Sequence, residues 1–600
     1  MTYRAPVKDR LFVMQELAGL ATVAQLPGFE DAGLDTATAV LDECAKFNQE
    51  VVAPLNWAGD QDPSSFKAGV VSTTPGFKQA FKQFAEGGWQ GLHHPAAFGG
   101  QGLPKLIHAA CIEMLNSASL SFALCPLLTD GAIEALLTAG SDPLQAAYLP
   151  KMIAGRWTGT MNLTEPQAGS DLAAVRSRAE PQPDGSYKLF GTKIYITYGE
   201  HDMAENIVHL VLARVSGAPE GVKGISLFVA PKFLLDAAGN PGARNDVHCV
   251  SIEHKLGIKA SPTAVLQFGD HGGAVGYLVG QENRGLEYMF VMMNAARYAV
   301  GLQGIAVAER AYQKAVGYAR DRVQGRPVDG SINAAAPIIH HPDVQRMLMT
   351  MRAYVEGCRA MALVAAAAQD AAHAHPDAAV RKQNQAFYEF MVPLIKGYAT
   401  EMSLEVTSLG VQVHGGMGFI EETGAAQHYR DAKILTIYEG TTAIQANDLV
   451  GRKTARDGGA TARAIASQIA ATEQLLAQRS SGAARAVLKR LTAARLAFLD
   501  VVAFVAGGMA KGATSSPNAV FAGSVPYLLL AGNLMAGWQL ARALLVAEDK
   551  LADGIEPEFM RAKITTARFY ADHLLSKAPG VRDSIVDGAA GVTEMALDAY

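Results

Sequence analysis

The chain has 600 residues, 49% hydrophobic and 18% charged, and its 52 Lys and Arg against 57 Asp and Glu leave a net charge of −5. That length exceeds one hydrophobic core and implies several domains, the composition excludes a disordered chain, and the charge balance excludes the basic footprint of a nucleic-acid binder. Cys44, Cys111, Cys125, Cys249 and Cys358 are too few and too scattered for a disulfide framework or a thiolate metal site, so a reducing compartment, the cytoplasm, is expected.

The opening MTYRAPVKDRLFVMQELAGL carries Arg4, Lys8, Asp9 and Arg10, which interrupt any apolar run and argue against a signal peptide. Residues 1–155 read as a helical domain; Phe77, Phe81 and Phe84 fall at i, i+4 and i+7 on one helix face. Residues 87–104 (GGWQGLHHPAAFGGQGLP) form a glycine-dense loop. Its His93 and His94 have no further ligands at useful spacing, so no metal is expected. Residues 156–283 read as a β domain. Runs at 187–190, 193–197, 207–213 and 225–229 are rich in β-branched and aromatic residues and bounded by turns such as Pro183-Asp184-Gly185, the pattern of antiparallel strands.

Helices return over 284–455, with long runs at 286–326 and 382–409 and Pro376 marking a loop between them. Polar, glycine-containing residues after Arg452 mark a boundary, and 456–600 read as a C-terminal helical extension. Residues 512–541 carry no charge, long enough to span a bilayer. Pro517, Asn518, Pro526 and Asn533 break that stretch, so a buried bundle helix is expected rather than membrane insertion. The fold class is mainly α with a central antiparallel β domain.

Three blocks carry candidate chemistry. In MNLTEPQAGSDL (161–172), Thr164 and Ser170 bracket a turn containing Pro166 and Gly169; the block fits either a strand-end loop with Ser turns or a turn exposing N–H groups to an anionic or carbonyl-rich ligand. In LGVQVHGGMGF (409–419), Gly415, Gly416 and Gly418 follow a helix containing Gln412 and His414; a helix C-cap explains one glycine but not three. In YRDAKILTIYEGTTAIQ (429–445), Ile434, Leu435, Ile437 and Tyr438 flank Glu439, and Thr441 is placed to cap the helix that follows. A glutamate there is either a solvated loop carboxylate or a desolvated base with a raised pKa.

Together, and in this order around a β domain, the blocks resemble the flavin-dependent acyl-CoA dehydrogenase family over about residues 40–455. The resemblance implies a helical domain, a β-barrel domain and a four-helix bundle, with the extension typical of the long bacterial subclass. It implies FAD as cofactor, contacted by Met161, Leu163, Thr164, Gly169, Ser170, Tyr195, Ile196, Thr197, Thr441 and Thr442. Arg322 and Gln324, with Gln412, Val413, Gly415 and Gly416, are implied to meet the cofactor of a neighbouring subunit. Glu439 is implied as catalytic base, and Ser170, Asn294, Arg297 and Gly440 as acyl-CoA contacts. Some members carry the base immediately before the Arg297 position; here that residue is Ala296, which leaves Glu439.

Departures are local. Tyr195 stands where the family more often has Trp, Gly325 follows Gln324 directly where Phe is usual, and Asn294 replaces a frequent acidic residue. The implied reaction is α,β-dehydrogenation of an acyl-CoA, with a short acyl or 3-methylthiopropionyl group favoured by the subclass. An electron-transferring flavoprotein is the implied electron acceptor and a homodimer the implied assembly. The rivals are a medium- or long-chain dehydrogenase, an oxidase using O₂, and a flavin-holding scaffold; an intact Glu439 disfavours the scaffold.

Overall fold

The computed structural model describes residues 3–512 and 516–600; Met1 and Thr2 of the opening segment, and 513–515 of the uncharged stretch, lie outside the described residues. The Phe77–Glu86 helix buries Phe77, Ala80, Phe81 and Phe84. Its rings pack on Phe122, with centroids 5.5 Å away for Phe77 and 6.3 Å for Phe84. Two long buried helices, Lys105–Ala118 and Leu120–Ala139, complete the N-terminal layer.

Eight strands form the central sheet. Arg178–Pro181 pairs with both Tyr187–Thr197 and Asn206–Val215, which closes five strands into a ring. Two pairings differ from the antiparallel expectation: Trp157–Asn162 and Arg178–Pro181 each run parallel to Asn206–Val215. Both reach that strand through long connections rather than hairpins, which is what parallel pairing requires. The runs at 187–190 and 193–197 are one strand with a bulge, where Ile194 and Tyr195 together oppose Val265.

The helices Gly285–Asp321, Pro342–Ala374 and Ala378–Val413 build the bundle, with Pro376 in the loop between the last two. The first ends five residues before the expected 326. Arg322 takes an extended conformation, Val323 bridges Pro337, and Gly325 turns at φ +70°, so the chain leaves as a loop. After a turn at 456–459 the extension adds Ala460–Ala477, Gly482–Gly508, Ser524–Ala552 and Pro557–His573. It shares one continuous core with the bundle and the N-terminal helices, running from Tyr3 to Ile585. Among the described residues, three helices are long and apolar enough to cross a membrane. Of these Ser524–Ala552, which contains most of the uncharged stretch, has 78% of its most apolar window buried inside the protein.

A buried ionic cluster ties the same three parts together. Arg359 bonds Asp9, Glu113 and Glu309, each at 2.6 Å. Arg10 reaches Glu113 at 2.9 Å, and Lys563 of the extension pairs with Asp9 and with Glu356. The flanking cations hold the Asp9 carboxyl well below its ordinary range against the opposing effect of burial.

Candidate active site

Glu439 sits on a left-handed turn, with φ +54° at Glu439 and +88° at Gly440. For a glutamate that conformation costs about 1–2 kcal/mol, and three groups hold it. Lys396, buried on the Ala378–Val413 helix, donates Nζ to the Gly440 carbonyl at 2.7 Å. Gln445 Nε2 donates to the carbonyls of Glu439 and Gly440 at 3.3 and 3.2 Å. The Tyr438 hydroxyl donates to Gln303 Oε1, whose amide nitrogen continues to Asn116 at 3.1 Å. Gly440 is required: a Cβ there would meet Gln445 Nε2 at 2.8 Å. Thr441 Oγ1 accepts from Ile444 N and caps the Thr442–Asp448 helix, while Thr442 donates its hydroxyl to Glu401.

The Glu439 carboxylate accepts no hydrogen bond among the described residues, and neither its N–H nor that of Gly440 has a protein acceptor there. Burial pushes its pKa up to about 6, opposed by the charges of Arg297 and Lys396. Its accessible surface is intermediate rather than nil, because part of the side chain faces open space; the dense packing around the rest produces the rise. Burial also brings Lys396 down to about 8. Arg297 is buried, feels Asp448 and Glu439, and its Nε has no partner. A carboxylate free of hydrogen bonds, free N–H groups and an unsatisfied guanidinium nitrogen are what a base working on an anionic, carbonyl-bearing ligand requires.

Met161 and Leu163 belong to the same core as Met292 and Ala296, one residue from Arg297. Glu165 organises the 161–177 loop: it pairs with buried Lys193 at 2.8 Å and accepts from the N–H groups of Arg176 and Ser177. Gly169 and Ser170 stay exposed, and a Cβ on Gly169 would meet nothing within 4 Å. At the bulge Tyr195 adopts φ +59° and is 61% exposed between buried Lys193 and Ile196; Thr197 is half-buried. A strained, outward-facing aromatic beside an open glycine loop fits a flat ring ligand. Met161, Ile196 and Val413 are buried and offer it little surface.

The remaining candidates divide between one turn from Arg297 and the far end of its helix. Asn294 is exposed and its side chain has no hydrogen bond among the described residues. Arg322 and Gln324 are exposed at the far end of the Gly285–Asp321 helix, about 37 Å from Arg297 at a rise of roughly 1.5 Å per residue. His414 stacks on Tyr318 at 4.4 Å and brings exposed Gln412, Gly415 and Gly416 to that same end. Gly415 has φ +59°, and a Cβ on Gly418 would strike the Val411 carbonyl at 2.2 Å, so both glycines have reasons within the chain. Gly416 faces open space. Phe419, 87% exposed, and half-exposed Met417 and Ile420 adjoin it.

Sequence reasoning missed Lys396, Gln445 and Gln303. The visible signal for Lys396 was a lone cation in the apolar run FMVPLIKGYA.

Four family models match in chain order: acyl-CoA dehydrogenase N-terminal domain at 35–156, middle domain at 160–271, C-terminal domain at 283–453, and acetyl-CoA dehydrogenase C-terminal like at 462–596. The chain is 55% identical to the 3-methylmercaptopropionyl-CoA dehydrogenase of Ruegeria pomeroyi, over 98% of each sequence. It is 36% identical to a broad-specificity linear acyl-CoA dehydrogenase of Mycobacterium tuberculosis, over 97% of each. Among solved structures, an acyl-CoA dehydrogenase complexed with FAD from Bacillus anthracis shares the fold, with a TM-score of 0.73 over 98% of this chain and 92% of that one at 21% identity.

Proposed function

The chain belongs to the acyl-CoA dehydrogenase family of FAD-dependent oxidoreductases, and from that premise we propose that it oxidises 3-methylthiopropionyl-CoA, or a comparably short acyl-CoA, to the 2-enoyl thioester with Glu439 as the base. The observation that carries the assignment of the base is its carboxylate: half-buried, without a hydrogen bond among the described residues, and held on a strained turn beside two cations. The close relative's substrate supports the methylthio group.

The α-proton of a thioester is weakly acidic, and this chain addresses that from both sides. Desolvation raises the proton affinity of Glu439. The free Glu439 N–H is placed to donate to the thioester oxygen as negative charge builds there, an effect worth on the order of 2.7–4 kcal/mol per donor. Arg297 and Lys396 keep the carboxylate ionised near neutral pH and offset the negative charge of the enolate-like state. FAD, when bound, supplies the acceptor for the hydride leaving the β-carbon. Tyr195, Thr164, Ser170 and Thr197 would hold its ring system, and Thr441 and Thr442 would add contacts from the turn after Glu439.

Arg322, Gln324, Gln412 and Gly416 sit a bundle length away from Glu439 and beside exposed apolar side chains. As the family resemblance implies, they would serve the cofactor of a second copy, with a homodimer as the working unit. An electron-transferring flavoprotein takes the electrons onward, and the enzyme works in the cytoplasm. The test is anaerobic addition of 3-methylthiopropionyl-CoA to the FAD-loaded protein. Bleaching of the flavin absorbance with formation of the unsaturated thioester is expected; an unchanged spectrum with this and with butanoyl-CoA overturns the assignment.

A further inference from the structure

A cavity of about 60 Å³ lies between the Lys105–Ala118, Leu120–Ala139 and Gly285–Asp321 helices, room for roughly four to six water-sized groups. Leu127, Gly131, Ala296, Ala299 and Leu302 form its apolar walls. Ala296 precedes Arg297, and Leu302 precedes Gln303, which holds the hydroxyl of Tyr438 next to Glu439. The cavity therefore borders the stretch of helix that carries Arg297 and Gln303, and an acyl tail running along that helix from Glu439 would enter it.

Its floor is polar. Glu134 faces His93 Nε2 at 3.3 Å and Lys105 Nζ at 3.1 Å. Asp130 accepts from Gln90 and faces His94 Nε2 at 2.9 Å and His108 Nε2 at 3.4 Å. The three imidazoles lie tilted against one another, His93 being 4.0 Å from His94 and 3.9 Å from His108 between ring centroids. The fold thus supplies the companions that spacing in the sequence denied to His93 and His94. The ligand atoms of His93, His108 and Asp130, and those of His93, His94 and Glu134, come within 4.8 Å of one another, while Glu134 also faces Lys105 and Asp130 also accepts from Gln90.

We propose that this floor, made by His93, His108, Asp130 and Glu134, fixes the acyl-chain limit of the enzyme at about the length of a pentanoyl or 3-methylthiopropionyl group. The proposal rests on the reading of Glu439 as the base of an acyl-CoA dehydrogenase. An apolar plug yields to a longer chain easily, because methylenes replace the contacts it gives up. A floor built on two paired carboxylates does not: moving it strands Asp130 and Glu134 away from their donors. The cut-off is accordingly steep, and a thioether in place of a methylene is tolerated because sulfur packs favourably against aromatic rings.

The test is kcat/KM across butanoyl-, pentanoyl-, hexanoyl-, octanoyl- and 3-methylthiopropionyl-CoA for the FAD-loaded wild type, His93→Ala and Glu134→Ala. In the wild type each methylene beyond pentanoyl lowers kcat/KM by about 10-fold or more, within the range of roughly 10–200-fold that one methylene commands in a tight pocket. In either variant octanoyl-CoA recovers at least about tenfold relative to pentanoyl-CoA through KM, with pentanoyl kcat little changed. A wild type that accepts octanoyl as readily as pentanoyl overturns the proposal whether or not the variants fold, as does a flavin-loaded variant that loses activity equally along the series. Absence of flavin bleaching with every thioester instead overturns the dehydrogenase reading itself.

Discussion

Lys396→Met separates the two roles this lysine has toward Glu439. Its ammonium donates to the Gly440 carbonyl at 2.7 Å, a charged hydrogen bond worth about 1.5–3 kcal/mol. Met keeps the volume and removes the cost of burying a cation. Gln445 Nε2 still reaches the same carbonyl, so no buried acceptor is orphaned. The net loss of stability is therefore small, within about 2 kcal/mol. The electrostatic effect on the base is about 1.4 kcal/mol for one pKa value, and a pH profile reads it directly. The lysine's charge lowers the Glu439 pKa from what burial alone would give, so its removal raises that pKa from about 6 toward about 7. With one titrating base, the ionised fraction at pH 6 falls from about one half to about one tenth, while at pH 8 it changes little. In kcat/KM against pH, the acidic limb of the variant moves up by about one pH value and activity at pH 6 falls about fivefold more than at pH 8. A correctly folded, FAD-loaded variant whose acidic limb stays at about 6 refutes the coupling of Lys396 to the base.

Other expectations follow from the same geometry. Glu439→Gln keeps FAD and acyl-CoA binding but loses about 10²–10⁴-fold in turnover, measured by single-turnover flavin reduction; ordinary reduction rates would remove Glu439 from its role. Tyr195→Gly relieves the φ +59° strain, so the FAD-free protein melts no lower than the wild type while flavin retention after gel filtration falls. Arg322→Ala lowers the flavin-to-protein ratio without slowing the first turnover of sites that remain loaded; full loading counts against the contact. Glu113→Gln removes one partner from buried Arg10 and Arg359 and destabilises the fold by about 3–5 kcal/mol in urea titrations.

Much of the secondary structure was legible because it rests on local periodicity. The Phe77, Phe81, Phe84 face, the β-branched runs at 207–213 and 225–229, and the Pro376 break each follow from a few neighbouring residues. The end of the Gly285–Asp321 helix was not legible, since the Val323–Pro337 bridge that draws the chain away depends on residues fourteen positions apart. Parallel pairing of Trp157–Asn162 was hidden for the same reason.

By itself the sequence determined the order of helical, β and helical regions and pointed to Glu439, because apolar neighbours and a capping threonine are encoded within a dozen residues of it. Only the tertiary structure decided how basic that carboxylate is, through burial and through Arg297 and Lys396 arriving from other helices. It alone gathered His93, His94, His108, Asp130 and Glu134 into one floor. Electrostatics and hydrogen bonding act through space over a few ångströms, and the linear distance between residues carries almost none of that information.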